Sequence, residues 1–390
     1  MNVLHVSDAI DPSRGGGTAE RTFQLVMALR RAGVTSSILC TDLGLGDKRR
    51  EELEGVELIA APTLFKRFLV PSISRKRIEQ LVAQADVVHV TGHWSILGAR
   101  VCLAAQLLGK PYVYCPAGSL RIFGRSAWLK RLYNLLVGHR VVLGAARYLS
   151  VTELEREQFH EYGVPDERIV LLPNGVHRNP DIVPAPQAFR FRHGLQSKQV
   201  LLFLGRLSPI KGPDLLLDAF AAIATCHPQA VLVFAGPEEE LGADLRAEAA
   251  RLGLAERVLF IGFISGQDKQ DALAAADLLV VPSRQEAMSL VALEAGLCGT
   301  PVLLTDQCGF DEVENAGGGA VVAVRADAIA AGIDRMLNAA GELPVQGEKL
   351  RQLVLNHYTW DGLTRQVCQL YEELAGAAQR LKHVNVSVQK

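Results

Sequence analysis

Short apolar runs alternate with helical patterns twice along this chain, and that rhythm excludes most folds. The first series places runs at residues 3–7, 36–41, 56–60, 87–90, 112–115, 147–151 and 169–172. The second places them at 200–204, 231–235, 258–261, 278–281, 301–305 and 320–324. Most are rich in Val, Ile or Leu, as parallel strands covered on both faces should be. Helical spacing fills the gaps, as at 19–32, 75–83, 95–108, 153–162, 213–225, 241–252, 267–276, 286–297 and 326–338. Two such series predict an α/β protein of two doubly wound, Rossmann-like domains facing across a cleft. Ligands of such sheets sit at the carboxyl ends of the strands.

Three prolines within residues 179–186, with no periodicity, predict a linker over 179–197. The domains are then 1–178 and 198–359, with a last amphipathic helix over 360–380. A chain of 390 residues, 49% apolar, is long enough for full cores in both domains. The seven cysteines are scattered, without CxxC or Cys/His ligand spacing, and read as buried thiols in a reducing compartment. The opening MNVLHVSDAIDP does not read as a signal peptide. No uncharged apolar run is long enough for a membrane span, so a cytoplasmic location is expected.

A formal net charge of −1 gives no general pull toward nucleic acid, and none is expected as a partner. The charge is unevenly placed, however. Residues 62–150 hold thirteen Lys or Arg against two acids, Glu79 and Asp86, so this segment carries +11 and the remainder −12. Lys66, Arg67, Arg75, Lys76, Arg77, Arg121, Arg125, Lys130 and Arg131 interleave there with Phe65, Phe68, Phe123, Trp128 and Leu129. That mixture suits anionic lipid head groups or a lipid-linked pyrophosphate, and admits a peripheral position on the inner face of the cytoplasmic membrane.

Three motifs carry chemistry. Gly15-Gly16-Gly17 follows the first strand and lets the backbone approach a ligand, although the spacing is not a dinucleotide fingerprint. In LGRLSPIKG, Arg206 leaves a strand end and Lys211 precedes a helix, so two cations flank a loop that can hold a diphosphate. In LLVVPSRQEAMSLVALEAGLCGTPVLLT, Glu286 is expected at the start of a helix, with Glu294 about 12 Å farther along its axis. The N–H groups of Met288, Ser289 and Leu290 would then be unpaired and able to bind phosphate. The plainer readings are a flexible turn, solvated cations and a carboxylate complementing the helix dipole.

The stretches LLFLGRLSPIKGPDLLLDAF, VLVFAGP, GFISGQDKQDALAAADLLVVPSRQEAMSLVALEAGLCGTPVLLTD and YTWDGLTRQVCQLYEEL resemble the retaining glycosyltransferases of the GT-B fold, family 4 type. LLPNGV at 171–176 resembles that family's segment before the linker. The resemblance implies that Arg206 and Lys211 neutralise the diphosphate of a nucleotide sugar, and that Glu286 touches the donated sugar. It places Glu294 on the ribose, and Gly236, Gly16 and Gly17 near the base or phosphates. It implies no metal and no cofactor, a donor that is a substrate, a lipid-linked or saccharide acceptor, and a last helix from Trp360 that returns to the first domain. Two positions differ. Ala287-Met288-Ser289 stands where relatives often carry Gly-Phe-Gly, and Ala117 stands where many have a histidine. His93, after a strand end, is the candidate for orienting the acceptor. The alternatives are a sugar-nucleotide epimerase of the same architecture and a catalytically silent nucleotide-sugar or lipid-binding protein.

Overall fold

The computed structural model describes residues 1–65, 69–122, 126–178, 181–238 and 240–388. The chain divides into two compact units, one of Met1–Gly175 with Trp360–Lys390 and the other of Val176–Thr359.

The first unit contains β1 (Asn2–Val6), β2 (Thr35–Thr41), β3 (Glu57–Ala61), the short antiparallel pair β4 (Thr63–Phe65) and β5 (Val70–Pro71), and β6 (Val87–Thr91). It continues with β7 (Tyr112–Cys115), β8 (Arg147–Ser150) and β9 (Ile169–Leu171). Seven of these form one parallel sheet in the order β3-β2-β1-β6-β7-β8-β9. All five residues of β6 are buried, the polar His89 and Thr91 along with its three valines, as in a strand covered on both faces. The second unit holds β10 (Gln199–Leu204), β11 (Ala230–Ala235), β12 (Val258–Gly262), β13 (Leu278–Val281), β14 (Val302–Thr305) and β15 (Gly319–Val322). They form a parallel sheet in the order β12-β11-β10-β13-β14-β15. In each sheet the order reverses at one point, between β1 and β6 and between β10 and β13. Loops leave opposite faces there and open a crevice at the strand ends.

Several elements differ from the sequence reading. The helix Pro12–Arg31 begins ahead of the three glycines: Asp11 caps it and Pro12 opens it. The glycines therefore lie inside the helix, which kinks where Gly16 adopts φ 55°. Within the expected linker, Pro186–Arg192 is a two-turn helix, too short to show a period in sequence. It belongs to the second unit: Phe189 is buried, and Arg190 binds Ala275 O and Asp277 at 3.0 and 2.9 Å. The helix Leu343–His357 has no counterpart in the sequence reading, although Leu343, Gly347, Leu350 and Val354 bury one stripe of it.

The last helix, Trp360–Val388, is tied to the first unit. The fully buried Trp360 donates Nε1–H to Gln24 at 3.1 Å, and Tyr371 OH lies 2.5 Å from His89 Nδ1. Gly175 is needed where the chain passes Trp360, because a Cβ there would lie 2.8 Å from the indole.

Candidate active site

The sequence-predicted residues of the second unit gather around its switch point. The loop after β10 carries Arg206 and then Lys211, which ends a short 3-10 turn, Pro209–Lys211. The loop after β13 carries Ser283, Arg284 and Glu286. Gly212 lets the two loops meet: its φ is 67°, and a Cβ would overlap the carbonyl oxygen of Pro282. Arg284 fastens them further, with its N–H on Ile210 O at 2.8 Å and its guanidinium on Asp214 at 2.5 and 2.8 Å.

At this junction Lys211 Nζ lies 2.7 Å from Glu286 Oε1, and Ser283 Oγ donates to the same oxygen at 2.6 Å. The Glu286 side chain is 10% exposed and that of Lys211 30%. This is a half-buried ion pair with one cation face toward solvent. Arg206 is exposed and its side chain makes no ion pair or hydrogen bond among the described residues, so its guanidinium can engage a ligand.

Glu286 is not at a helix start. Its N–H bonds Gln307 O at 2.9 Å, and the helix begins four residues later, as Leu290–Cys298. The 12 Å axial spacing to Glu294 therefore does not hold. Ser289 is the N-cap, accepting from Ala292 N, and its own N–H is bonded to Cys308 O at 3.0 Å. Ser289 N–H is thus removed from the expected anion-binding set. Met288 is buried ahead of the helix. The first-turn N–H groups of Leu290 and Val291 have no intrahelical acceptor. Beneath this loop the Cys308 thiol donates to Val281 O at 3.3 Å. Burial, and next the Glu286 carboxylate, push it up to about 12, so it stays protonated.

Glu294 is buried on that helix and paired with Lys269 Nζ at 2.8 Å. Lys269 sits on the helix Gly266–Ala275, and nothing in the sequence pattern links the two. Gly236, at φ 149°, bonds Gly262 O through its N–H at 2.8 Å. A Cβ there would overlap the Gly205 carbonyl oxygen, so the glycine lets two strand ends converge.

In the first unit His93 is fully committed. Tyr114 OH lies 2.5 Å from Nδ1 and Asn134 Oδ1 2.7 Å from Nε2. Asn134 donates its amide to Tyr162 OH, so Oδ1 faces the ring and accepts from Nε2–H, while Tyr114 donates to Nδ1. Burial lowers this histidine to about 4 and keeps it neutral. Both nitrogens serve the fold, which leaves none to orient an acceptor. Ala117 adopts φ 51° in the loop after β7. The buried Glu155 braces that loop, accepting from Gly118 N at 2.5 Å and Val151 N at 2.7 Å. At the end of β1, burial raises Asp8 to about 6, and Ser95 Oγ donates to it at 2.5 Å. Gly16 and Gly17 lie in the helix that follows β1. Among the described residues no group of three or more His, Cys, Asp or Glu is placed to hold a metal ion. No helix among them is long and apolar enough to cross a membrane. Of the basic and aromatic positions picked out in residues 62–150, Lys66, Arg67, Phe68, Phe123 and Arg125 lie outside the described residues.

Residues 187–353 match the family model described as glycosyl transferases group 1, and residues 16–175 match the glycosyl transferase 4-like domain. A D-inositol 3-phosphate glycosyltransferase of Geodermatophilus obscurus is 30% identical over 325 residues, covering 77% of this chain and 72% of that protein. One from Jonesia denitrificans is 28% identical over 315 residues, covering 75% and 73%. Among solved structures, Anabaena HepE in complex with UDP and glucose superposes with a TM-score of 0.79 at 20% identity, over 96% of this chain and 100% of that one. The two Rossmann-like units are those of the GT-B fold.

Proposed function

This chain belongs to the group 1 glycosyltransferases, and from that premise we propose that it moves a hexose or related sugar from a nucleotide-sugar donor to a lipid-linked or saccharide acceptor, with retention and without a metal, in the synthesis of cell-surface polysaccharide or glycolipid. The observation that carries the reading is the Lys211–Glu286–Ser283 junction, with the exposed Arg206 on the same loop as Lys211. A nucleotide sugar needs cations at its diphosphate and acceptors at its hydroxyls, and this junction supplies both within hydrogen-bond reach of each other. HepE, a structural neighbour, binds UDP and glucose, which supports a donor of this class.

In the reaction, the bond between the anomeric carbon and the diphosphate oxygen breaks. A bond to the acceptor oxygen forms on the same face, and the acceptor's proton passes to the departing diphosphate. Negative charge grows on that diphosphate as the sugar becomes cationic. Arg206, Lys211 and the N–H groups of Leu290 and Val291 stabilise the growing charge. Donors fixed in place before the reaction need no reorganisation as the charge develops, which is why they lower the barrier so effectively. Glu286 holds a sugar hydroxyl and Glu294 the ribose. The first unit is assigned to the acceptor.

The test is incubation with labelled nucleotide sugars, each with saccharide and lipid-extract acceptors, reading the product's anomeric proton coupling. Retained configuration supports the proposal. An inverted product, an epimerised donor, or donor binding with no product would each overturn it, the last two in favour of an epimerase or a silent binding protein.

A further inference from the structure

One residue of the β13 loop encloses the turn that presents Lys211. Arg284 donates its backbone N–H to Ile210 O at 2.8 Å. Its Nη1 donates to Pro209 O at 2.5 Å and to Asp214 Oδ1 at 2.8 Å, and its Nη2 donates to Asp214 Oδ2 at 2.5 Å. Pro209 and Ile210 precede Lys211 in the 3-10 turn, and Asp214 follows it in the first turn of the helix Pro213–Ile223. Arg284 therefore grips the chain on both sides of Lys211. The grip uses the planar fork of a guanidinium, which meets both oxygens of one carboxylate and a carbonyl at once; an ammonium has no such fixed fork.

Two observations give this grip a purpose other than stability. The Arg284 side chain is 32% exposed and that of Asp214 42%, and ion pairs as open as this add little to folding. The Arg284 loop is also held from a third strand. Thr305 Oγ1, at the end of β14, donates to Ser283 O at 2.6 Å, and the Glu286 N–H is bonded to Gln307 O at 2.9 Å. Arg284 thus carries a fixed frame across to the Lys211 turn. With its side chain gone, the Lys211 ammonium would rest on Glu286, the carboxylate that a sugar hydroxyl also needs.

We propose that Arg284, braced by Asp214, is a positioning residue that fixes the turn Pro209–Lys211 so that the Lys211 ammonium is in place before the diphosphate departs. This rests on the diphosphate reading of Lys211 given above. Both terminal nitrogens of Arg284 are engaged by the protein, so it acts through the lysine and not on the substrate. A misplacement of about 1 Å can cost about 10²-fold in rate. A loosened lysine still finds the bound donor, so the loss falls on the transition state, where the charge develops, more than on ground-state binding.

The experiment measures initial rates with the accepted nucleotide sugar for the full chain, Arg284→Lys, Asp214→Asn, Lys211→Met, and Lys211→Met combined with Arg284→Lys. Arg284→Lys should lower kcat by about tenfold to a hundredfold and move KM by less than about threefold. Asp214→Asn, which loosens the same fork from the other side, should lower kcat in the same way. In the Lys211→Met background Arg284→Lys should change kcat by less than about twofold, because no ammonium is left to place. An effect that persists undiminished there, or a kcat that neither single variant lowers, would overturn the proposal. Amide exchange reads the same grip without any substrate. The N–H groups of Lys211 and Gly212, bonded to Ser208 O and Pro209 O, should exchange faster in Arg284→Lys, and unchanged exchange would overturn the proposal by itself. A wild type that transfers no sugar refutes the transferase reading, and exchange then decides the grip alone.

Discussion

Replacing Lys211 by methionine separates its two possible duties. Its ammonium sits 2.7 Å from Glu286 Oε1, with the carboxylate nearly buried. Removing one partner of a fully buried pair costs about 3–5 kcal/mol, because the other charge is left without compensation. The lysine here is 30% exposed, so water screens part of that loss and about 1–3 kcal/mol is expected. If Lys211 also stabilises the departing diphosphate, kcat/KM should fall by about 10²–10³. The decisive protein is Lys211→Met combined with Glu286→Gln. A neutral pair leaves no stranded charge, so stability should return to within about 1 kcal/mol of the wild type. Turnover should not return, because the amide at position 286 can still accept from a hydroxyl but no cation is restored at the diphosphate. The assays are urea unfolding, for the coupling energy across the four proteins, and initial rates with the accepted donor. If the double variant regains turnover to within about tenfold of the wild type, the lysine served only as a counter-ion and the diphosphate argument fails.

Acid should weaken the fold. Burial holds His5 at about 3 and His93 at about 4, and His89 well below its ordinary value. Unfolded, each titrates near 6.5, so below that pH the unfolded state binds more protons and stability drops by up to about 1.4 kcal/mol per pH unit per histidine. Asp8, raised to about 6, acts in the opposite sense between its unfolded and folded values and offsets one histidine. The urea midpoint should therefore fall from pH 7 to pH 5, and a flat profile would refute the buried neutral histidines. Gly236→Ala should destabilise by more than about 3 kcal/mol and raise the donor KM, through overlap with the Gly205 carbonyl and an unfavourable φ. A variant with wild-type melting would mean that β10 and β11 do not converge there. Trp360→Ala should cost about 3–5 kcal/mol in a urea titration, because the indole is fully buried between Gln24 and Gly175. A loss below about 1 kcal/mol would detach the last helix from the first unit.

The strands were legible in sequence because buried parallel strands write their environment into every residue. β7 and β13 lie where the apolar runs put them, and the other sheet strands differ by a residue or two at their ends. The short helix Pro186–Arg192 and the helix Leu343–His357 were not legible. One is too brief for a period, and the other has a thin buried stripe among many polar residues. The candidate site divides the same way. Lys211 and Glu286 could be named from the motif, but not that they touch each other, since 75 residues separate them. Lys269 on Glu294 and Glu155 on Gly118 carried no signal of any kind.

His93 marks the boundary. The sequence put it after a strand end and beside a tryptophan, where a functional and a structural histidine look alike. Tyr114 and Asn134, 21 and 41 residues away, decided that both nitrogens belong to the fold. Sequence alone determined the alternation, the parallel sheets and the motif residues, because local pattern reports whether a side chain meets protein or water. Only the folded chain decided which N–H groups stay open and which charges are paired, because those depend on partners that no local pattern contains.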